Sequence, residues 1–171
     1  RDSWESLADR GWPVPKPFGY YNEDYHLLQA TKAEPLHRLL RNQMTEARIP
    51  IEFSKGEAAA GQHEVNIRYD HVLESADRSV VFKHGAKEIA YLNGWGITFM
   101  AKPDHRWTGS SGHLHMSVWD AEKDVPLMHA TGDDPAGSYG LSTVGQQFMA
   151  GMMALSRELA VFVAPFINSY K

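Results

Sequence analysis

Two glutamates are the residues of this 171-residue chain whose types and spacing best suit metal chemistry. Glu57 and Glu64 flank a short stretch that contains Gly61, and a glycine there lets the chain fold back on itself. Both carboxylates could then reach one cation, and hard divalent ions such as Mg²⁺ or Mn²⁺ prefer carboxylate oxygens. The small residues 58–61 also let backbone approach a ligand closely. The pair predicts a divalent-metal site, with two ordinary surface glutamates as the alternative.

A second candidate is the polar row His113, His115 and Ser117. These residues alternate with apolar ones, so on a strand all three side chains would project from the same face. Two imidazoles so placed can ligate a divalent metal or hold phosphate oxygens. A polar row that merely faces solvent is the alternative.

The loop Thr108–Gly112 runs directly into this histidine segment and is made of small residues. Backbone N–H groups in such a loop can bind carboxylate or phosphate oxygens. The spacing is neither that of a P-loop nor that of a dinucleotide-binding glycine motif. A simple tight connection remains the alternative.

Strands and helices joined by short links must position these residues. The first thirty residues, rich in Trp, Pro and Tyr, predict an irregular arm. Hydrophobic periodicity then predicts helices and strands that together give an α+β fold around an antiparallel sheet. The predicted helices are 35–49, 71–93 and 143–164, the last capped by Ser142, and the predicted strands are 51–54, 63–69, 95–101, 113–119 and 127–129.

Composition narrows the class of protein. Hydrophobic residues make up 43% and charged residues 22%, which is typical of a globular domain. The net charge of −4, without any cluster of Lys and Arg, argues against nucleic acid or an anionic membrane as partner. No apolar run approaches the ~20 residues of a membrane span, and the absence of cysteine excludes disulfides and thiolate sites.

Four motifs, in order, resemble the catalytic domain of glutamine synthetases. The resemblance covers essentially the whole chain, and the variants 54–57 and 109–111 are similar to the glutamine synthetase-like γ-glutamylamide ligases. The motifs are Glu57–Glu64 (EAAAGQHE), Phe99–Pro103 (FMAKP), Gly109–Ser117 (GSSGHLHMS) and Asn168–Lys171 (NSYK).

The resemblance implies an ATP-dependent ligase that joins the γ-carboxylate of glutamate to ammonia or a small amine through a γ-glutamyl phosphate. Magnesium or manganese would assist, held by Glu57 and Glu64 on the glutamate and amine side and by His113 on the ATP side. The resemblance further implies that ATP is bound by Tyr69, His115 and Ser117, and that Gly109 offers its backbone to glutamate.

The sequence departs from the family pattern at three positions. Thr108 stands in place of the usual Asn and Gly112 in place of the usual Met, while Lys55 stands where many members have His. The resemblance also implies that further metal ligands and substrate-binding arginines lie outside residues 1–171. We therefore expect a single, truncated catalytic domain that has no ligase activity alone and belongs to a cytoplasmic homo-oligomer.

Two other functions stay open from the sequence. One is a non-catalytic glutamine synthetase-like protein with a structural or ligand-sensing role, which the changes at Thr108 and Gly112 favour. The other is a metal-dependent β-barrel enzyme built on His113 and His115. Such barrels place a glutamate shortly after the histidine pair on a strand, whereas Glu122 falls in the predicted turn 120–126.

Overall fold

Two long helices and a strand pair form the first part of the computed structural model, which describes residues 17–132 and 139–170. The elements follow one another as α1 (Leu27–Glu46), β1 (Ile51–Gly56), β2 (His63–Ile67) and α2 (Val72–Leu92). The strands pair antiparallel, and Lys55 lies opposite Glu64 in the register. The α+β class predicted from the sequence is confirmed.

Helix α1 begins earlier than its sequence predicts. The expected start at Pro35 is wrong, because Leu27–Lys32 already contains strong helix formers and Pro35 lies inside the helix. Proline costs the helix one backbone hydrogen bond. Packing of a buried face outweighs that cost, as tertiary contacts usually decide helical stability; this face carries Ala33, Leu36, His37, Leu40 and Met44.

The hydrophobic core of this part lies between α1 and α2, with the strands packed against it. Residues from both helices and from the link to β1 are nearly inaccessible, and burial of each Leu, Ile, Met or Phe among them contributes on the order of 1.5–3 kcal/mol. The core side chains are Leu36, Leu40, Met44, Ile49, Phe82, Ala86, Ile89 and Ala90. This core fixes the base from which β1 and β2 extend.

The chain divides into two compact units, Arg1–Ser110 and Ser111–Lys171. The described part of the second contains β3 (Trp119–Asp120), β4 (Val125–Pro126), α3 (Thr143–Ala154), α4 (Ser156–Val163) and a 3₁₀ turn (Ile167–Tyr170). Ser142 caps α3 as predicted, because its Oγ accepts the Gly145 N–H at 3.1 Å. The expected single helix up to Pro165 is instead two helices, which meet at Leu155.

Two predicted strands are wrong. Residues 95–101 form no strand, and of 113–119 only Trp119 enters one. Alternation of polar and apolar residues is not enough to form a strand, because the backbone must also form hydrogen bonds with a neighbouring strand. None of the described residues pairs with residues 95–101 or 113–118 as a strand ladder. The short strand 127–129 is reduced to one bridge between His129 and Leu141.

The arm predicted for the first thirty residues is irregular over 17–26 and helical from Leu27. Its remainder, residues 1–16, lies outside the described residues. Among the residues that the structure describes, no helix is long and apolar enough to span a membrane.

Candidate functional site

The hairpin of β1 and β2 carries the two candidate glutamates at its turn end. Residues 57–62, here called the carboxylate loop, connect the strands and are closed by a hydrogen bond from the Glu57 N–H to the Gln62 carbonyl at 2.8 Å. Gly61 has φ +71°, and a Cβ there would lie 2.8 Å from the Phe18 nitrogen. Only glycine meets both conditions, so the loop can bend tightly and bring Glu57 near Glu64.

Both carboxylates converge on one cation, the ammonium of Lys55. Lys55 Nζ lies 3.0 Å from Glu64 Oε2 and forms a very short contact with Glu57 Oε1. A third carboxylate completes the group, because Asp24 Oδ1 lies 2.9 Å from the same nitrogen. The Tyr25 ring centroid lies 5.2 Å from it. The hairpin end therefore gathers three carboxyl groups around one ammonium group.

The protonation states follow from this arrangement. Partial burial alone would lower the pKa of Lys55, but hydrogen bonds with the three carboxylates outweigh it and raise that pKa above its ordinary value. The pKa of Glu64 is lowered to about 2 by hydrogen bonds with the Glu57 carboxyl group, the Asn66 amide and the Lys55 ammonium. At neutral pH Glu64 is thus an ionised oxygen donor, which is the state a metal ligand requires.

Two residues of this group, Lys55 and Asp24, were not predicted as site residues from the sequence. Lys55 was noted only because many family members have His at that position, and Asp24 lies in no motif. Alternation along a strand and a glycine-containing loop indicate that Glu57 and Glu64 approach each other. No local signal indicates that Asp24, thirty-one positions before Lys55, contacts that lysine. This contact depends on how the arm packs, which the sequence pattern does not specify.

Within the first unit, Gln62 connects the carboxylate loop to Gly109 and Ser110 of the loop Thr108–Gly112, here called the glycine loop. Its Nε2 donates to the Gly109 carbonyl at 3.0 Å and to Ser110 Oγ at 2.9 Å, while its Oε1 accepts the Ala59 N–H at 3.0 Å. Gly109 also packs closely against the Ala101 carbonyl, which lies 3.2 Å from where a Cβ would stand. One amide side chain thus fixes the separation of the two loops.

Beneath the hairpin lies a buried group of ionisable residues. The rings of His37 and His63 meet edge to face at 4.8 Å, and Glu23 Oε2 lies 3.9 Å from His63 Nδ1. Burial lowers the pKa of His63 to about 4, with a further effect from His37, and burial also lowers the pKa of His37. Burial raises the pKa of Glu23, against an opposing hydrogen bond from the Gly61 backbone. Both imidazoles are therefore neutral at pH 7.

The predicted residues of the histidine segment lie in the second unit and are exposed. His113 Nε2 lies 3.0 Å from Ser111 Oγ, and Ser117 Oγ accepts the Trp119 indole N–H at 3.0 Å. Residues 113–118 form no strand. The secondary structure therefore does not place His113, His115 and Ser117 on one strand face. Their predicted roles remain predictions.

Tyr69, predicted near ATP, follows β2 in the first unit and is largely exposed. The Arg68 guanidinium lies 5.9 Å from its ring centroid. Among residues 17–132 and 139–170, no three His, Asp or Glu side chains are grouped so that they could hold a metal ion. The Glu57–Glu64 pair is thus at most a part of a metal site.

Comparison with known proteins identifies the class. Residues 16–171 match the glutamine synthetase catalytic domain. Since this match covers nearly the whole chain, the chain belongs to the glutamine synthetase family, as the sequence motifs predicted.

The relatives include enzymes named for amines other than ammonia. The chain is 40% identical to the γ-glutamylethanolamide synthetase GlnA4 of Streptomyces coelicolor, over 100% of this chain and 35% of that protein. It is 39% identical to a glutamate–isopropylamine ligase of Pseudomonas sp., over 99% of this chain and 36% of that protein. The chain thus spans about a third of the length of these curated relatives.

Solved structures agree on the fold. A structure titled as a GmaS/ADP complex superposes with a TM-score of 0.81 at 28% identity, covering 95% of this chain and 36% of that one. GmaS without ligand gives a TM-score of 0.80. The α+β arrangement is therefore that of part of a glutamine synthetase-type catalytic domain.

Proposed function

We propose that this chain is part of an ATP-dependent ligase, hereafter the full-length protein. The reaction joins the γ-carboxylate of glutamate to ammonia or a small amine through a γ-glutamyl phosphate. The observation that carries this proposal is the convergence of Glu57 and Glu64 on one cation at the hairpin end. Ligases for ethanolamine and isopropylamine among the relatives support a small amine as the nitrogen donor.

The donor set of the hairpin end suits Mg²⁺ or Mn²⁺. Glu57 and Glu64 offer carboxylate oxygens, which hard divalent cations prefer, and the low pKa of Glu64 keeps its oxygens ionised. We assign these two residues to the metal near glutamate and the amine, and His113 to the metal near ATP. When bound, divalent metal offsets the negative charge of the transferring phosphoryl group.

The chain's own residues contribute positioning and charge. The Gly109 backbone would receive glutamate, and Gln62 holds that backbone at a fixed distance from the carboxylate loop. Tyr69, His115 and Ser117 would bind ATP. Lys55 adds a fixed positive charge beside the proposed metal ligands, where it can also attract the anionic γ-phosphoryl group. Such catalysis depends chiefly on orientation and preorganised electrostatics.

A non-catalytic protein is the second candidate function. It would share the fold but act as a scaffold or a ligand sensor, and the changes at Thr108 and Gly112 within the glycine loop favour it. The presence of Glu57, Glu64 and His113 favours the ligase instead, because a scaffold has no need of clustered metal-ligand residues. We further propose that the ligase is a cytoplasmic homo-oligomer and that residues 1–171 alone are inactive.

Metal binding tests the proposed ligands. In the full-length protein, Glu64→Ala or His113→Ala should weaken Mn²⁺ binding at least ~10-fold, because each removes a direct ligand. Titration followed by calorimetry or by the electron paramagnetic resonance of free Mn²⁺ measures this.

Glu52→Ala and His105→Ala are matched controls, since both side chains are exposed and lie outside the proposed site. Wild-type affinity in the Glu64 and His113 variants would refute the ligand assignment. Equal weakening in the two controls would show that the effect is not specific to the site.

A further inference from the structure

We propose that Glu23 is a positioning residue that holds the carboxylate loop in the geometry its two glutamates need. The proposal rests on the proposed role of Glu57 and Glu64 as metal ligands. Glu23 belongs to the irregular segment before α1 and is not among the proposed metal or substrate ligands. It acts through the loop that it supports.

Glu23 binds both ends of the carboxylate loop. Its backbone N–H donates to the Glu57 carbonyl at 3.1 Å. Its carboxylate accepts a hydrogen bond from the backbone of Gly61, at the opposite end of the loop. One residue thereby sets the span between the start of the loop and the turn that leads to Glu64.

The surroundings leave space for this side chain and for little else. Glu23 is only 2% exposed. A Cβ at Gly56 would lie 2.4 Å from the Glu23 Cβ, and a Cβ at Gly19 would lie 2.0 Å from its Oε1. Gly56 is therefore restricted to glycine by the Glu23 Cβ and backbone, whereas a side chain at position 19 would displace the Glu23 carboxylate.

The burial of this carboxylate is costly and therefore informative. No lysine or arginine among the described residues forms an ion pair with Glu23, whose contact is with His63 at 3.9 Å. Its Oε2 has no hydrogen-bond partner in the described part of the chain. A buried polar group without a hydrogen-bond partner lowers stability, so packing alone would favour an apolar residue here. The hydrogen bond from the Gly61 backbone indicates that this carboxylate instead serves to hold the carboxylate loop.

The next residue strengthens the same connection. Asp24 Oδ1 lies 2.9 Å from Lys55 Nζ, and Lys55 in turn contacts Glu57 and Glu64. Consecutive residues of the arm thus fix the loop backbone and the cation between its carboxylates. The arm and the hairpin behave as one structural unit around the proposed metal ligands.

Manganese binding to four variants of the full-length protein tests the proposal. Glu23→Ala removes the Gly61 hydrogen bond and should weaken Mn²⁺ binding about 10-fold, the range known for residues that orient ligands. Glu23→Gln keeps the acceptor and the shape and should bind Mn²⁺ as wild type does. Leu40→Ala destabilises the core of the same unit without touching the loop, so it should leave the affinity unchanged. Glu64→Ala reports on the ligand assignment itself.

The outcomes separate the two claims. Wild-type affinity in Glu23→Ala, or equal weakening in Leu40→Ala, would overturn the positioning role while Glu64→Ala still weakens binding. Failure of Glu23→Gln to bind Mn²⁺ as wild type does would overturn it as well, because the amide oxygen of this variant can still accept the hydrogen bond from the Gly61 backbone. Wild-type affinity in Glu64→Ala would instead refute the assignment of Glu57 and Glu64 as metal ligands. The positioning role of Glu23, which rests on that assignment, would then be refuted as well.

Discussion

At the scale of single residues, Lys55 defines the electrostatics of the candidate site. It stands between three carboxylates that would otherwise repel one another, and the short distances to Asp24 and Glu64 show that the charges are paired. A cation at this point holds Glu57 and Glu64 close enough for both to face the same ion. The same positive charge competes with a divalent cation for the Glu57 and Glu64 carboxylates.

The imidazoles of buried His37 and half-buried His63, near the turn end of the hairpin, predict a pH dependence of stability. Both His37 and His63 have lowered pKa values, so the folded state favours the neutral rings that the unfolded chain protonates near pH 6.5. The free energy of unfolding that depends on these neutral rings is therefore at its full value above pH 6.5. It decreases as the pH falls from 6.5 towards 4.

Comparison with His63→Asn isolates this contribution from the carboxylates. Arg41 and Glu34 act on His37, and Glu23 faces His63 and titrates in the opposite sense, so the wild type alone would mix these effects. Between pH 7.5 and 4.5 the wild type should lose about 2–3 kcal/mol of unfolding free energy more than the variant. Urea denaturation at both pH values measures it, and parallel losses in the two proteins would contradict the assignment.

At the scale of elements, hydrogen bonds from Gln62 connect the β1–β2 hairpin to the glycine loop. Removing the amide should loosen Gly109 relative to the carboxylate loop. In the full-length protein we expect Gln62→Ala to raise KM for glutamate by about 10-fold, because a lost positioning contact of roughly 1.4 kcal/mol corresponds to that factor. Steady-state kinetics at saturating ATP measure the change.

Gln43→Ala is the matched control, since Gln43 lies on α1 outside the site. The unfolding temperature of both variants should stay near that of wild type. An unchanged KM for glutamate in Gln62→Ala would show that the connection between the loops does not serve the substrate site.

Local patterns predicted most of the elements, and the errors have physical causes. Helix α2 and both strands of the hairpin were predicted within a few residues because their periodicity and their glycine boundaries are local signals. The strands predicted at 95–101 and 113–119 do not form, apart from Trp119. Strand pairing depends on a partner segment that a local sequence pattern does not specify. Pro35 misplaced the start of α1 because packing against α2 outweighed its cost.

At the scale of the whole molecule, the candidate site was only partly predictable. The sequence indicated that Glu57 and Glu64 approach each other, since a glycine-containing turn between strands brings its flanks together. It did not indicate Asp24 or Glu23, because their contacts join segments more than thirty positions apart. The metal, ATP and glutamate roles remain proposals, as does the expectation of a single domain.

The division into two units also bears on function. The proposed carboxylate ligands and Gly109 lie in the first unit, whereas His113, His115 and Ser117 lie in the second. Since the chain spans about a third of its curated relatives, the proposed ligase activity belongs to the full-length protein.

Phosphate release by the full-length protein is the most direct test of the central claim. The assay supplies ATP, glutamate and Mg²⁺ at saturation and compares ammonia, ethanolamine, isopropylamine and a polyamine, with Glu64→Ala as the inactive control. The ligase account predicts phosphate release that requires both glutamate and at least one of these amines, with the matching γ-glutamyl amide as product. No amine-dependent release in a protein that binds ATP and Mn²⁺ would contradict it and favour a non-catalytic relative.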